Sequence, residues 1–230
     1  MVDWHGSYRA WRERFAIDQA AWAGLSDYMQ LLRDAPMNLT ALRGVALQEK
    51  GVLNSLEVLA ASDDWESAMD IGSGSGLPGM VLAIARPGRK MTLVESRHKR
   101  ADFLKRAVDL LHLERVSVLS SRAETLLSQD LGHREQYDLV TLRAVGNFRV
   151  SAELGLPAVR VGGKLVLVRG PLAIAECQAF APWVVELGGR IEALHPVSLP
   201  SWPLDVGYMV EMVKVHRTPP AYPRTRRLGD

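Results

Sequence analysis

Asp70, Gly72, Gly74 and Gly76, followed by Leu77-Pro78-Gly79, close an apolar segment and are the residues of this chain best suited to hold a ligand. Alternating glycines let a backbone turn sharply and approach a bound molecule closely. Asp70 sets a carboxylate just ahead of the turn. Pro78 suits the first turn of a helix, where its missing N–H costs nothing. A strand, a glycine-rich loop and a helix in this order make a nucleotide-cofactor corner.

Two cofactor classes could claim it. Gly74, Gly76 and Gly79 fit the G-x-G-x-x-G dinucleotide fingerprint, in which a pyrophosphate sits at the helix N-terminus. Asp70 with Gly72, Gly74 and Gly76 fits the D-x-G-x-G-x-G loop of S-adenosylmethionine enzymes. There no phosphate is present, and Asp70 helps hold the cationic methionine end, directly or through water. Glu95 follows the apolar run Met91 to Val94, twenty-one residues after Gly74. An acid at that place accepts from both ribose hydroxyls in either class, or else is a surface residue opening a helix. Ala123 and Glu124 follow the third strand, where a backbone N–H and a polar side chain can read an adenine edge; an ordinary helix start is the competing account. Arg143 follows the fourth strand. It can bind a phosphate or carboxylate bidentately or form a structural ion pair with Asp70 or Glu124.

What is missing narrows the chemistry. No Asn-Pro-Pro-Tyr or Asp-Pro-Pro-Tyr run follows the fourth strand, against transfer to an exocyclic base amine. No Pro-Cys dipeptide occurs, and the single cysteine, Cys177, sits in a late helical stretch. Covalent activation by a thiol is therefore not expected. His98, His112 and His195 are read as surface or core residues. No catalytic base and no metal site is assigned, so catalysis would rest on positioning.

The elements that must position these residues follow from periodicity. Residues 7–34 and 48–61 show helical spacing and form an N-terminal extension, residues 1–62, packed on the core. Strands are expected at 67–72, 90–95, 115–120, 137–142 and 163–168, with helices such as 97–113 between them. This alternation predicts a mostly parallel sheet with helices on both faces. Two more strands, 190–198 and 207–215, are joined by a loop holding Pro200, Trp202 and Pro203. That loop is too short for a crossover, so they should pair antiparallel. The expected fold is α/β, Rossmann-like and seven-stranded, in a domain over 63–216 with a basic, flexible tail over 217–230.

Composition sets the outer limits. The 230 residues, 47% of them hydrophobic, can bury one substantial core plus an appendage. The N-terminus lacks a basic segment followed by an apolar core, and nowhere do eighteen apolar residues run together. A cytoplasmic protein with no membrane partner is expected. The formal net charge is +2, but residues 86–115 hold nine lysines or arginines against four acids. That excess is either a solvated helix face or a footprint for RNA phosphates. Lys99 and Arg100 in this stretch are candidate substrate contacts. Arg224, Arg226 and Arg227 add a further cationic group in the tail.

Asn38-Leu39-Thr40, the run Asp70 to Gly79, Val94-Glu95-Ser96 with Lys99-Arg100 and Phe103-Leu104, Arg122-Ala123-Glu124 and Arg143-Ala144-Val145 together resemble the glucose-inhibited division protein B family. These are bacterial guanine-N7 methyltransferases of small-subunit ribosomal RNA, and the similarity runs from about residue 37 to 170. The resemblance implies S-adenosylmethionine as cofactor, contacted by Gly72, Leu77, Ala123, Glu124 and Arg143 and supported by Asp70 and Glu95. Ribosomal RNA or the small subunit would be the partner. Departures fall elsewhere: the family's Arg-His-x-x-Asp-Ser segment is Lys50-Gly51-Val52-Leu53-Asn54-Ser55, and its Lys-Gly after the fifth strand is Arg169-Gly170, which keeps the charge and makes Arg169 a candidate substrate contact beside Lys99 and Arg100. A changed acceptor, such as a small molecule, or an RNA-binding relative without turnover is the alternative.

Overall fold

The computed structural model describes residues 4–129 and 132–224. The N-terminal part holds α1 (Trp4–Ser7), α2 (Arg9–Arg14), α3 (Gln19–Asp34), α4 (Gly44–Ala46), a π-helical turn over Leu47–Leu53, α5 (Asn54–Leu56) and α6 (Val58–Ala61). Strands and helices then alternate: β1 (Ser67–Ile71), α7 (Gly79–Ala85), β2 (Lys90–Val94), α8 (His98–Leu110), β3 (Val116–Leu119) and α9 (Ala123–Gln129). The second half continues with β4 (Tyr137–Arg143), α10 (Phe148–Gly155), β5 (Val159–Arg169) and α11 (Ala173–Glu186). It ends with the hairpin β6 (Gly189–Leu199) and β7 (Trp202–Lys214).

The seven strands lie in the order β3-β2-β1-β4-β5-β7-β6. Pairs from β3 to β5 are parallel, and β7 pairs antiparallel with both β5 and β6. Chain direction across the sheet reverses between β1 and β4, and the loops after these two strands open on the same edge. Ligands of open α/β sheets bind at such a switch point. Alternate residues on the central strands feed two cores. Ala68, Leu139 and Val166 share one core with Trp22 and Leu25 of the N-terminal helices, Met80 of α7 and Leu104 of α8. Met69, Ile71, Val140, Leu142 and Leu165 face the other way, toward Phe148, Ala152 and Val184. The N-terminal helices therefore share a core with the sheet. No helix among the described residues is long and apolar enough to cross a membrane.

Several boundaries differ from the periodic reading. The expected helix over 7–34 breaks at Ala16, whose φ is 47°. Asp18 caps α3 instead, accepting from the Ala21 N–H at 2.7 Å, because a short carboxylate satisfies an open helix start better than it continues a helix. The helix expected from 48 begins at Gly44 and is wound as a π-turn. Strand β7 begins at Trp202, so Trp202 and Pro203 belong to a strand and not to the loop.

Part of the expected tail lies within the described residues. Up to residue 224 the segment is held down: the Thr218 hydroxyl donates to the Leu187 carbonyl at 2.7 Å, and Tyr222 to Glu186 at 2.6 Å. Arg224 pairs at 2.6 Å with Glu153, which is fully buried. Arg226 and Arg227 lie outside the described residues. Beneath this strap Lys214 is buried, donating to the Leu156 carbonyl and Thr218 with Glu135 3.6 Å away. Burial pushes its pKa down to about 8. From there up to the ordinary lysine value the unfolded chain binds more protons than the native state, so stability rises with pH. The expected gain is on the order of 2 kcal/mol between pH about 8 and 10. Urea midpoints should show this rise in the native protein and lose it in Lys214→Met; a flat native profile would contradict it.

Candidate functional site

The glycine loop leaves β1 at Ile71 and folds back over β2, with the Gly72 and Ser73 N–H groups both donating to the Val94 carbonyl at 2.8 and 3.0 Å. Gly72 and Gly74 have φ of 71° and 56°, the left-handed region that favours glycine. A Cβ on Gly72 would stand 2.5 Å from the Val145 side chain. The loop thus depends on close approach to the segment after β4.

Asp70 does not reach outward. In register it lies opposite Thr141 of β4; its Oδ1 accepts from the Thr141 hydroxyl at 2.8 Å and its Oδ2 from the Gly79 N–H at 3.2 Å. The carboxylate is almost fully buried, and burial raises its pKa to about 6 against the pull of these donors and of Arg143. Asp70 therefore fastens β1 to the start of α7 and to β4. Glu95 is buried too, neither a surface acid nor free. Its Oε2 accepts from the Gly74 N–H and its Oε1 from the Arg97 N–H, each at 2.8 Å. It ties the glycine loop to the start of α8.

A cavity of about 290 Å³ opens on this loop, lined by Thr40, Gly72, Gly74, Leu77, Arg100 and Arg143 among others. A second, of about 330 Å³, is lined by Lys50, Asn54, Arg143, Arg169, Gly170 and Asp205 among others. Arg143 and Ala144 line both. Ala144 sits at φ 55°, an uncommon conformation for a residue with a Cβ that occurs where a site over-determines the backbone. Arg143 forms neither of the expected ion pairs. Its Nη2 donates to the Lys50 carbonyl at 2.7 Å, and its Nη1 is buried without a partner. Burial lowers its pKa while the Asp70 charge raises it.

The remaining sequence candidates divide. Gly76 lies inside the protein against Tyr28 and Met80, outside the cavity lining. Ala123 and Glu124 open α9 at the same sheet edge, with Glu124 accepting from the Arg122 Nε at 2.6 Å. Lys99 is exposed on α8. Arg169 faces the second cavity while Glu176 and the Gly146 carbonyl hold its guanidinium. Among the described residues no group of His, Cys, Asp and Glu could hold a metal ion.

Residues 22–190 match the model of the family described as rRNA small subunit methyltransferase G. The chain belongs to this family. It is 38% identical over 224 residues to the ribosomal RNA small subunit methyltransferase G of Roseiflexus sp. (strain RS-1), covering 94% of this chain and 92% of the relative. The protein of the same name from Pelotomaculum thermopropionicum is 39% identical, covering 86% and 84%. In fold the chain is similar to the O-methyltransferase from Bacillus cereus solved in complex with SAH, with a TM-score of 0.61, 16% identity and coverage of 92% and 98%.

Within the rRNA small subunit methyltransferase G family, the departures noted in the sequence acquire a common place. Lys50, Asn54 and Arg169 all line the second cavity, while Gly51 packs against Leu47 beside the glycine-loop residue Leu77. Asp205 was not visible in the sequence. It meets Lys50 at 2.6 Å across 155 residues, and no local pattern signals such a pair.

Proposed function

We propose that the chain transfers the methyl group of S-adenosylmethionine to N7 of a guanine in small-subunit ribosomal RNA, in the cytoplasm. The observation that carries this reading is the meeting of two cavities at Arg143 and Ala144. One lies on the glycine loop, and the other is lined by the cations Lys50, Arg143 and Arg169.

The residues fit the cofactor. Gly72 and Gly74 leave backbone open to close approach, and the unpartnered Arg143 Nη1 is a donor that a cofactor carboxylate would satisfy. Glu95 stands at the end of β2, where it would exchange its backbone donors for ribose hydroxyls. Ala123 and Glu124 would meet the adenine edge, with Leu77 alongside. When bound, the cofactor supplies an electrophilic methyl group. The chain's own work is then to orient the acceptor. N7 of guanine carries a lone pair and no proton, so no base is needed. Among the described residues lining the two cavities there is no histidine. Lys50, Arg143 and Arg169, with exposed Lys99 on α8 and Arg97 just before it, supply charge for phosphates. The N-terminal extension contributes walls to both cavities through Thr40 and Asn54.

Small subunits lacking the modification, incubated with labelled S-adenosylmethionine and digested to nucleosides, should yield a single labelled 7-methylguanosine. No incorporation by protein that demonstrably binds the cofactor would move the acceptor to a small molecule.

A further inference from the structure

We propose that Asp205 selects guanine in the second cavity by accepting hydrogen bonds from its N1–H and 2-amino groups. The assignment rests on the N7 reading above. Asp205 is the one carboxylate among the described residues lining a cavity that three cations also line. In a surface that draws phosphates a carboxylate weakens the attraction, so its presence calls for a partner with donors. Ionised, it offers acceptors only, on two oxygens, and takes two adjacent donors at once. Among the four bases only guanine presents such a pair on one edge, N1–H beside the 2-amino group. Adenine and cytosine place a ring lone pair next to their amino group, and uracil sets one N–H between two carbonyls.

The placement agrees with the chemistry. Arg143 and Ala144 form the wall shared with the glycine-loop cavity, whereas Asp205 belongs to β7 and lies outside that wall. A guanine whose N7 faces the shared wall turns its N1 and 2-amino edge away from it, because the two edges lie on different sides of the base. A volume of about 330 Å³ is at the small end of ligand pockets and suits one base turned out of its strand.

In the free protein Lys50 holds Asp205, with Nζ 2.6 Å from Oδ2 and 4.6 Å above the centre of the Trp202 ring. Both side chains are partly exposed, and a pair of this kind is readily exchanged. On binding, Lys50 turns to a phosphate and Asp205 to the base.

The test uses two pentanucleotide RNAs, pyrimidines around a central guanine or inosine, and protein holding S-adenosylhomocysteine. Inosine keeps N7, O6 and N1–H and lacks only the 2-amino group. Fluorescence polarisation should show native protein preferring the guanine RNA about tenfold, the effect of one hydrogen bond to a charged group. Asp205→Ala should bind both equally with unchanged cofactor affinity, and Lys50→Met should keep the preference. A native protein that does not separate the two RNAs, including one that binds neither, overturns the assignment, as does a preference that survives Asp205→Ala. Nucleoside analysis of the native product separates the failures. A methylated nucleoside other than 7-methylguanosine removes the N7 reading, while 7-methylguanosine formed without dependence of the preference on Asp205 removes this assignment alone.

Discussion

Gly76→Ala should destabilise the protein by about 2–5 kcal/mol, while Gly74→Ala, two residues earlier in the same loop, should cost only about 1–2 kcal/mol. Gly76 has φ 73°, and a Cβ there would run into the Tyr28 hydroxyl oxygen and stand 2.5 Å from Met80 Cγ. Tyr28 cannot retreat: it is fully buried in α3, and its hydroxyl donates to the Ser75 carbonyl. Left-handed backbone with a Cβ costs about 1–2 kcal/mol, and overpacking a filled core adds about 1–3 kcal/mol. The sum is a large share of the stability of a typical domain. Gly74 has φ 56°, but its nearest atom outside the loop is Arg100 Nη1 at 3.5 Å, the tip of a flexible side chain. Only the conformational cost of about 1–2 kcal/mol remains there. Adding Tyr28→Phe to Gly76→Ala removes the closest contact and should recover part of the loss. Urea denaturation of the four proteins measures this, and equal destabilisation by the two glycine substitutions would refute it.

Gly76 also shows which parts of this molecule could be read in advance. Its need for a bare backbone follows from local loop geometry, and the order strand, glycine loop, helix, strand, acid was legible from residue types alone. So was the antiparallel hairpin, because its connection was too short for a crossover. The partner that makes Gly76 critical was not legible, since Tyr28 lies in a separate helix 47 residues from Ser75. Glu95 was weighed as a ribose ligand or a surface acid, yet in this structure it braces the Gly74 and Arg97 N–H groups, a role set by how two loops happen to meet. Arg224 read as part of a free basic tail because the fully buried Glu153 that binds it sits 71 residues earlier. Lys50, Asn54 and Arg169 stood out only as deviations from a family pattern. Their convergence on one cavity with Asp205 is a fact of tertiary structure.

Asp70→Asn should stabilise the protein above pH 6 and weaken its cofactor binding. Asp70 reaches its carboxyl pKa of about 6 because burial outweighs the donors around it. Between the ordinary aspartate value and pH 6 the native state therefore holds a proton that the unfolded chain has released, and stability falls as pH rises through that window. Above it the native protein carries an ionised carboxylate in its interior, a cost on the order of 2–3 kcal/mol from a shift of this size. An asparagine keeps an acceptor for the Gly79 N–H and offers its amide to Thr141, so the bonds across β1, α7 and β4 can persist without the charge. The loss of Asp70's attraction for Arg143 takes back part of the gain. The denaturation midpoint of native protein should drop between pH about 4 and 6, and the variant should show no such drop and exceed the native protein at pH 8. Calorimetric titration with S-adenosylhomocysteine should show the opposite order if, as proposed, the loop above Asp70 receives the cationic end of the cofactor, because the variant no longer places a negative charge beneath it. A variant no more stable than native protein at pH 8, with the same slope at acid pH, would mean that Asp70 is not strained by its burial. Unchanged cofactor affinity would mean that the charge does not serve the site. A carboxylate kept where it destabilises the free protein is expected only where binding makes use of its charge.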